Sequence, residues 1–270
     1  MAATTTRHKS PQENPMQASQ HNATPSLKAL ILYAHPDPTS FTAALKDRTA
    51  EVLSRAGFAV TVSDLYGEGF NPVLDRHDFT APTSTEKFHI QTEQEHAYQQ
   101  QSYVPEIARE QARLAAADIF VPIFPLWWGG VPAIVKGWCD RVLSYGFAYA
   151  DGQRFDKGYL RGRDALICAS TGGTRQRFSP EDVYGDIETV LHPLKRCTLE
   201  YLGFDVPSPF VAYASPRVSA EERQAYLADL ERRLIALTEK AKAHPVAGLR
   251  GEELRQRQQA FSDAQAWTRS

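Results

Sequence analysis

Two hydrophobic periods alternate along the chain. Residues 27–34 (LKALILYA) are an almost unbroken apolar run, short enough for a strand buried on both faces. Thr39 and Ser40 then offer an N-cap and predict a helix over residues 41–55, ended by Gly57. Residues 58–63 (FAVTVS), rich in β-branched side chains, predict a second strand. Residues 64–87 show few periodic signals and several turn residues, a long excursion of the kind that is functional or disordered. Pro105 suits the first turn of a helix over residues 105–116. A third strand follows at 118–124, then a helix over 132–144 opened by Pro132, and a fourth strand at 164–169 (DALICA). Residues 180–201 predict a helix kinked at Pro193, residues 204–211 a fifth strand, and residues 220–242 a helix with one charge-rich face.

Strand and helix thus alternate five times. That pattern predicts an α/β fold, a doubly wound five-stranded parallel sheet covered on both faces. In such sheets ligands sit at the carboxyl ends of the strands, at the topological switch point. The segments after strands one, three and four become the candidate site. The predicted domain spans 27–242. Residues 1–26, rich in Thr, Gln, Ser, Asn and Pro, read as a disordered tail, and residues 243–270 as a polar C-terminal arm.

Composition narrows the function. With 30 basic and 32 acidic residues the net charge is −2, which argues against a dedicated nucleic-acid binder. The 42% hydrophobic share builds a core. Cys139, Cys168 and Cys197 form no CxxC, which suits a reducing compartment. Residues 119–135 carry no charge, yet Pro122, Pro125, Gly129, Gly130 and Pro132 interrupt them, and a span needs about 20 apolar residues. They read as a buried strand, a tight loop and a helix, not a membrane insertion. Residues 1–26 contain no apolar signal core, so a cytoplasmic protein is expected.

Each candidate loop has a ligand reading and an ordinary one. After strand one, HPDPTSF (35–41) contains neither GxGxxG nor GxxxxGK[ST], but it sets two hydroxyls at a helix N-terminus, where a phosphate is favoured. A simple cap is the alternative. After strand three, FPLWWGGVP (124–132) joins two indoles to two glycines, a wall for a planar cofactor or else a packed turn. After strand four, STGGT (170–174) exposes successive amides that can form an anion nest, or is an ordinary loop. His89, Glu93 and His96 would share one helix face, but the set lacks a further ligand and no metal is assigned. Cys139, in an apolar helix, reads as a core residue.

The runs YAHPDPTSF (33–41), SDLYGEGFNP (63–72), FPLWWGGVPAIVKGWCDRVL (124–143), GFAY (146–149), FDKG (155–158) and STGG (170–173) resemble the NAD(P)H:quinone oxidoreductase family, the DT-diaphorase-like group with the flavodoxin-like fold. The resemblance runs in order from about residue 27 to 242. It implies a flavin-containing homodimer that moves two electrons from NAD(P)H to a small quinone-like substrate by ping-pong hydride transfer. The flavin implied is FAD, with FMN as the alternative. Matched position by position, His35, Thr39, Ser40 and Phe41 would hold the flavin phosphates. Pro125, Leu126, Trp127 and Trp128 would form the isoalloxazine wall. Thr171, Gly172 and Gly173 would face the pyrimidine edge, the glycine amides stabilising charge there. Arg223 falls at the arginine near the adenine-side phosphate, and Tyr149 at a tyrosine lining the partner's substrate pocket.

The chain also departs from that pattern. A tyrosine and a histidine that assist hydride transfer in the family are here Phe178 and Tyr184, leaving Tyr184 as the candidate donor and Phe178 as a packing surface. An aromatic residue after the loop tryptophan is Gly129, which opens the substrate pocket, and a second pocket tyrosine is Asp151. The competing functions are a flavin-binding regulatory subunit of a potassium-efflux system and an azo- or nitroreductase on the same site.

Overall fold

The computed structural model describes residues 27–244 and Gln256. The expected tail, and the arm beyond residue 244, lie outside the described residues apart from Gln256. In chain order the main elements are β1 (Lys28–Tyr33), α1 (Phe41–Arg55), β2 (Ala59–Asp64), α2 (Ile90–Gln100), α3 (Pro105–Ala116), β3 (Ile119–Pro125), α4 (Ala133–Val142), β4 (Asp164–Ala165) and β5 (Cys168–Ser170). There follow α5 (Ile187–Val190), α6 (His192–Leu194), a π turn over Lys195–Glu200, β6 (Phe210–Ala212) and α7 (Ala220–Ala243).

All pairings in the sheet are parallel, in the order β2-β1-β3-β5-β6, with β4 also paired to β3. This is the expected flavodoxin-like winding, with its switch between β1 and β3. The predicted fourth strand is broken into β4 and β5. The gap faces Pro122 of β3, which has no N–H to give the ladder. The fifth strand is shorter than predicted, because Pro207 and Pro209 remove donors before Phe210.

Both faces of the sheet are buried by alternation. Ala29, Ile31 and Tyr33 of β1 pack with α1 and α7 residues such as Leu45, Leu53, Leu230 and Leu234. Leu30 and Leu32 point the other way, onto Ile107 and Leu114 of α3 and Trp138 of α4. Trp138 donates to Glu110 at 2.9 Å, and buried Arg141 pairs with Asp78 and Glu106 at 2.7 and 2.6 Å. Cys139 is a packing residue too, with burial pushing its thiol up to about 12. Among the described residues no helix is long and apolar enough to cross a membrane.

Two further readings are corrected. The helix predicted over 180–201 begins only at Ile187, behind an Asp186 cap, and Pro193 and the π turn divide it. Helix α2 was not anticipated. It buries Glu93 and Gln94 beside Ala97, so its inner face is polar and carries no hydrophobic stripe.

Candidate active site

The three loops converge at the carboxyl edge of β1, β3 and β5. In the first, Asp37 organises the turn. Its Oδ1 accepts from the Thr39 amide at 2.8 Å and from the Thr39 hydroxyl at 2.7 Å. Those bonds, the amide first, hold the Asp37 carboxyl below its ordinary pKa. Ser40 is the N-cap of α1, accepting from Ala43 N at 3.1 Å. Of the two expected phosphate donors, Thr39 therefore has its proton on Asp37, while Ser40 keeps its own. Thr42 in the first turn meets Ser170 at the end of β5, their buried oxygens 2.7 Å apart, and ties the first loop to the third.

The second loop is a two-residue turn. Trp127 and Gly130 exchange backbone hydrogen bonds, both 3.0 Å, and the central Trp128 and Gly129 have φ of 50° and 70°. Positive φ at both central positions is the I′ pattern, which favours glycine at the second and is uncommon for a tryptophan at the first. The turn separates the two indoles. Trp127 leans toward His35, ring centroids 6.3 Å apart, while Trp128 is fully exposed.

The third loop is braced from both sides. The Thr171 amide bonds Ala212 O at 3.0 Å, and its carbonyl accepts from Ser215 N at 3.0 Å. The Gly173 amide donates to Thr171 Oγ1 at 3.1 Å, whereas the Gly172 amide has no acceptor among the described residues. Of the two amides expected to stabilise charge, Gly172 alone is open. A Cβ on Gly172 would meet nothing within 4 Å; one on Gly173 would strike Phe178.

These loops enclose a cavity of about 460 Å³ lined by His35, Thr39, Ser40, Phe41, Pro125, Leu126, Trp127, Thr171, Gly172 and Arg223. Ten residues expected to hold a cofactor thus meet at one place. Leu126, Thr171 and Gly172 also line an adjoining cavity of about 760 Å³, which takes the remaining two, Trp128 and Gly173, together with Gly129, Phe178 and Tyr184. Tyr184 is exposed, outside any helix, its ring 5.0 Å from that of Phe178. A third cavity of about 1090 Å³ shares Gly129 and holds Tyr149, edge-on to Tyr145 and Tyr201. The metal trio does not assemble: Glu93 is bound by the amide and hydroxyl of Thr83, and His89 caps α2.

One observation tests the fit of a flavin nucleotide. Arg223, in the first turn of α7, has a buried Nε with no hydrogen-bond partner. An orphaned guanidinium donor is costly unless an anion completes it. Here it lines the same cavity as the Ser40 cap and the N-terminus of α1, so the donor set suits a phosphate-bearing ligand. The open wall of Leu126 and Trp127 and the bare Gly172 leave room for a ring at the other end. The residues present fit the group.

Reasoning from strands one, three and four missed the loop after β6. Ser215 and Arg217 brace the third loop, the latter by donating to Gly172 O. The same rule of carboxyl strand ends, extended to the fifth strand, would have found them.

Residues 27–234 match a family model described as flavodoxin-like fold. The chain is 42% identical over 208 residues to ribosyldihydronicotinamide dehydrogenase [quinone] of Pongo abelii, covering 77% of this chain and 90% of that protein. It is 38% identical over 215 residues to NAD(P)H dehydrogenase [quinone] 1 of Rattus norvegicus, covering 79% and 78%. Among solved structures, a candidate quinone reductase from Klebsiella pneumoniae superposes with TM-score 0.75 at 36% identity, covering 78% and 85% of the two chains.

Proposed function

The chain belongs to the flavodoxin-like family of NAD(P)H:quinone oxidoreductases, and from that premise we propose how its own residues carry the reaction. The chemistry is flavin-dependent reduction of quinones by NAD(P)H. When bound, the flavin supplies the two-electron relay, hydride in from the nicotinamide and hydride out to the quinone.

The protein's part is binding, orientation and charge. Arg223 and the Ser40-capped N-terminus of α1 would hold the phosphates. Leu126 and Trp127 would wall the flavin ring on one side, and the open Gly172 amide would supply a fixed donor dipole for charge that develops there. Tyr184 offers a hydroxyl at the mouth of the second cavity. A phenolic O–H can donate a hydrogen bond to charge that develops beside it.

The orphaned Arg223 Nε is the observation that carries this reading: it leaves a cationic donor for a flavin phosphate beside the Ser40-capped helix end, and FAD is the flavin proposed. The assembly proposed is a homodimer. Its support is the third cavity of about 1090 Å³, where Tyr149 stands with Val131, Leu143, Leu194 and Tyr201 on a face that a second copy would cover. The test is the flavin released by heating purified protein, with turnover of NADPH and a soluble quinone measured alongside. FAD release with quinone-dependent oxidation is expected. A protein that neither retains nor rebinds FAD or FMN overturns the reading.

A further inference from the structure

The second cavity carries charge that flavin binding leaves unused. Two arginines reach its rim, Arg177 from the turn before α5 and Arg217 from the loop after β6, and no acidic side chain lines it. Arg217 is anchored by donating through Nη2 to Gly172 O. The Arg177 side chain makes no hydrogen bond or ion pair among the described residues, although its backbone is pinned, bonding Thr174 O and Tyr184 N at 3.1 Å each. Of the acids nearby in sequence, Glu181, Asp182 and Asp186, none lines the cavity, and two are turned to other work. Asp182 accepts from Val183 N at 2.6 Å, and Asp186 caps α5 through Glu188 N at 2.7 Å.

A lone exposed arginine is an ordinary solvated side chain. Two without a counterion, on the rim of a cavity walled by Trp128, Phe178 and Tyr184, define a different shape: a flat apolar surface with a cationic edge. Aromatic walls take a planar ring. Guanidinium forks match phosphate oxygens, with two parallel N–H bonds to one group. Of the two substrates the quinone carries no formal charge, so the anionic ligand is the electron donor.

We propose that Arg177 and Arg217 hold phosphate of the nicotinamide donor, so that this chain takes phosphorylated dihydronicotinamides in preference to the bare riboside. The inference rests on the quinone reductase reading above. It separates this chain from relatives named for ribosyldihydronicotinamide, one of them 42% identical.

The experiment compares four donors on the flavin-loaded enzyme: dihydronicotinamide riboside, its mononucleotide, NADH and NADPH. In wild type, kcat/KM should rise from the riboside to the phosphorylated donors, and only theirs should fall as salt is raised. Arg177→Ala should cut the preference for NADPH over riboside about ten- to a hundredfold, through KM, as expected for a charge-assisted hydrogen bond. Arg177→Lys should restore part of it. A loss confined to NADPH assigns the contact to its 2′-phosphate; a loss shared by NADH and the mononucleotide assigns it to the phosphate next to the nicotinamide ribose. Equal kcat/KM for all four donors, or a preference that Arg177→Ala leaves intact, overturns the proposal. If wild type is inactive with every donor, the quinone reductase reading fails separately. Calorimetric binding of NADP⁺ then decides: binding lost in Arg177→Ala sustains the phosphate site, and no binding by wild type removes it.

Discussion

The Phe178 ring stands where a Gly173 side chain would begin: a Cβ built on Gly173 falls 2.5 Å from Phe178 Cε2. The ring has little room to yield. It is buried between Tyr184 and Tyr213, with centroids 5.0 and 5.8 Å away. Gly173→Ala should therefore destabilise the loop by about 1–3 kcal/mol, the usual cost of overpacking. Gly172→Ala meets open space and should leave the melting temperature of the flavin-free protein unchanged while weakening flavin retention. Thermal melts with and without flavin separate the two. Equal losses in the flavin-free protein would show that Gly172 is structural.

Removing Arg223 should act in opposite directions on the two states. Without a ligand its buried Nε is an unpaired donor, so Arg223→Met should hold or raise the melting temperature of the flavin-free protein. FAD affinity should drop about ten- to a hundredfold, the scale of a hydrogen bond to a charged group. Fluorescence titration of stripped protein with FAD and FMN reads this directly. An unchanged FAD dissociation constant removes Arg223 from the site.

Trp128 is fully exposed and held at φ 50°. Folding gains little from its indole and is charged roughly 1 kcal/mol for the left-handed backbone. Trp128→Gly should leave the flavin-free protein as stable or more so, yet weaken flavin retention and quinone turnover. Turnover at the wild-type level in a flavin-replete variant would mean that the indole serves only the surface.

Tyr184 presents its hydroxyl beside the third loop, with no partner for it among the described residues. Tyr184→Phe should slow flavin reduction about ten- to a hundredfold, or roughly 1.4–2.7 kcal/mol, without loosening the flavin. Phe178→Tyr should not slow it. Stopped-flow reduction as fast in Tyr184→Phe as in wild type would leave the charge to the Gly172 amide.

The first loop gives a pH signature. Bonds from the Thr39 amide and hydroxyl lower the Asp37 pKa, so the brace is complete above the ordinary aspartate value of about 3.9. It is lost as pH falls through the lowered value in the folded protein. Asp37→Ala should release flavin faster at neutral pH, and the two proteins should converge as the carboxylate of wild type protonates. Identical release rates at neutral pH would show that the turn holds without Asp37.

Much of this was legible before any fold was known. The helix at 41–55 and the helix at 105–116 match their predicted bounds because an Ser40 cap, a Gly57 stop and a Pro105 start are local signals. Helix α2 was not legible, since its buried polar residues are held from outside the helix, Glu93 by Thr83 in the preceding loop and Gln94 by the Asp140 and Tyr145 backbone far along the chain. The broken fourth strand depended on Pro122 lying opposite it, a register that only the assembled sheet defines.

The site divides in the same way. The parallel winding, and hence the convergence of the loops on one edge, follows from strand and helix periods, because parallel strands joined by helices put their carboxyl ends on one edge, while the strand order is read from the assembled sheet. Which atom does what rests on contacts between loops far apart in the chain. Thr39 spends its proton on Asp37, Gly173 gives its amide to Thr171, and Arg223 keeps an unpaired Nε. Residue types name the donors that exist. Packing sets which of them are already engaged and which still face the cavity.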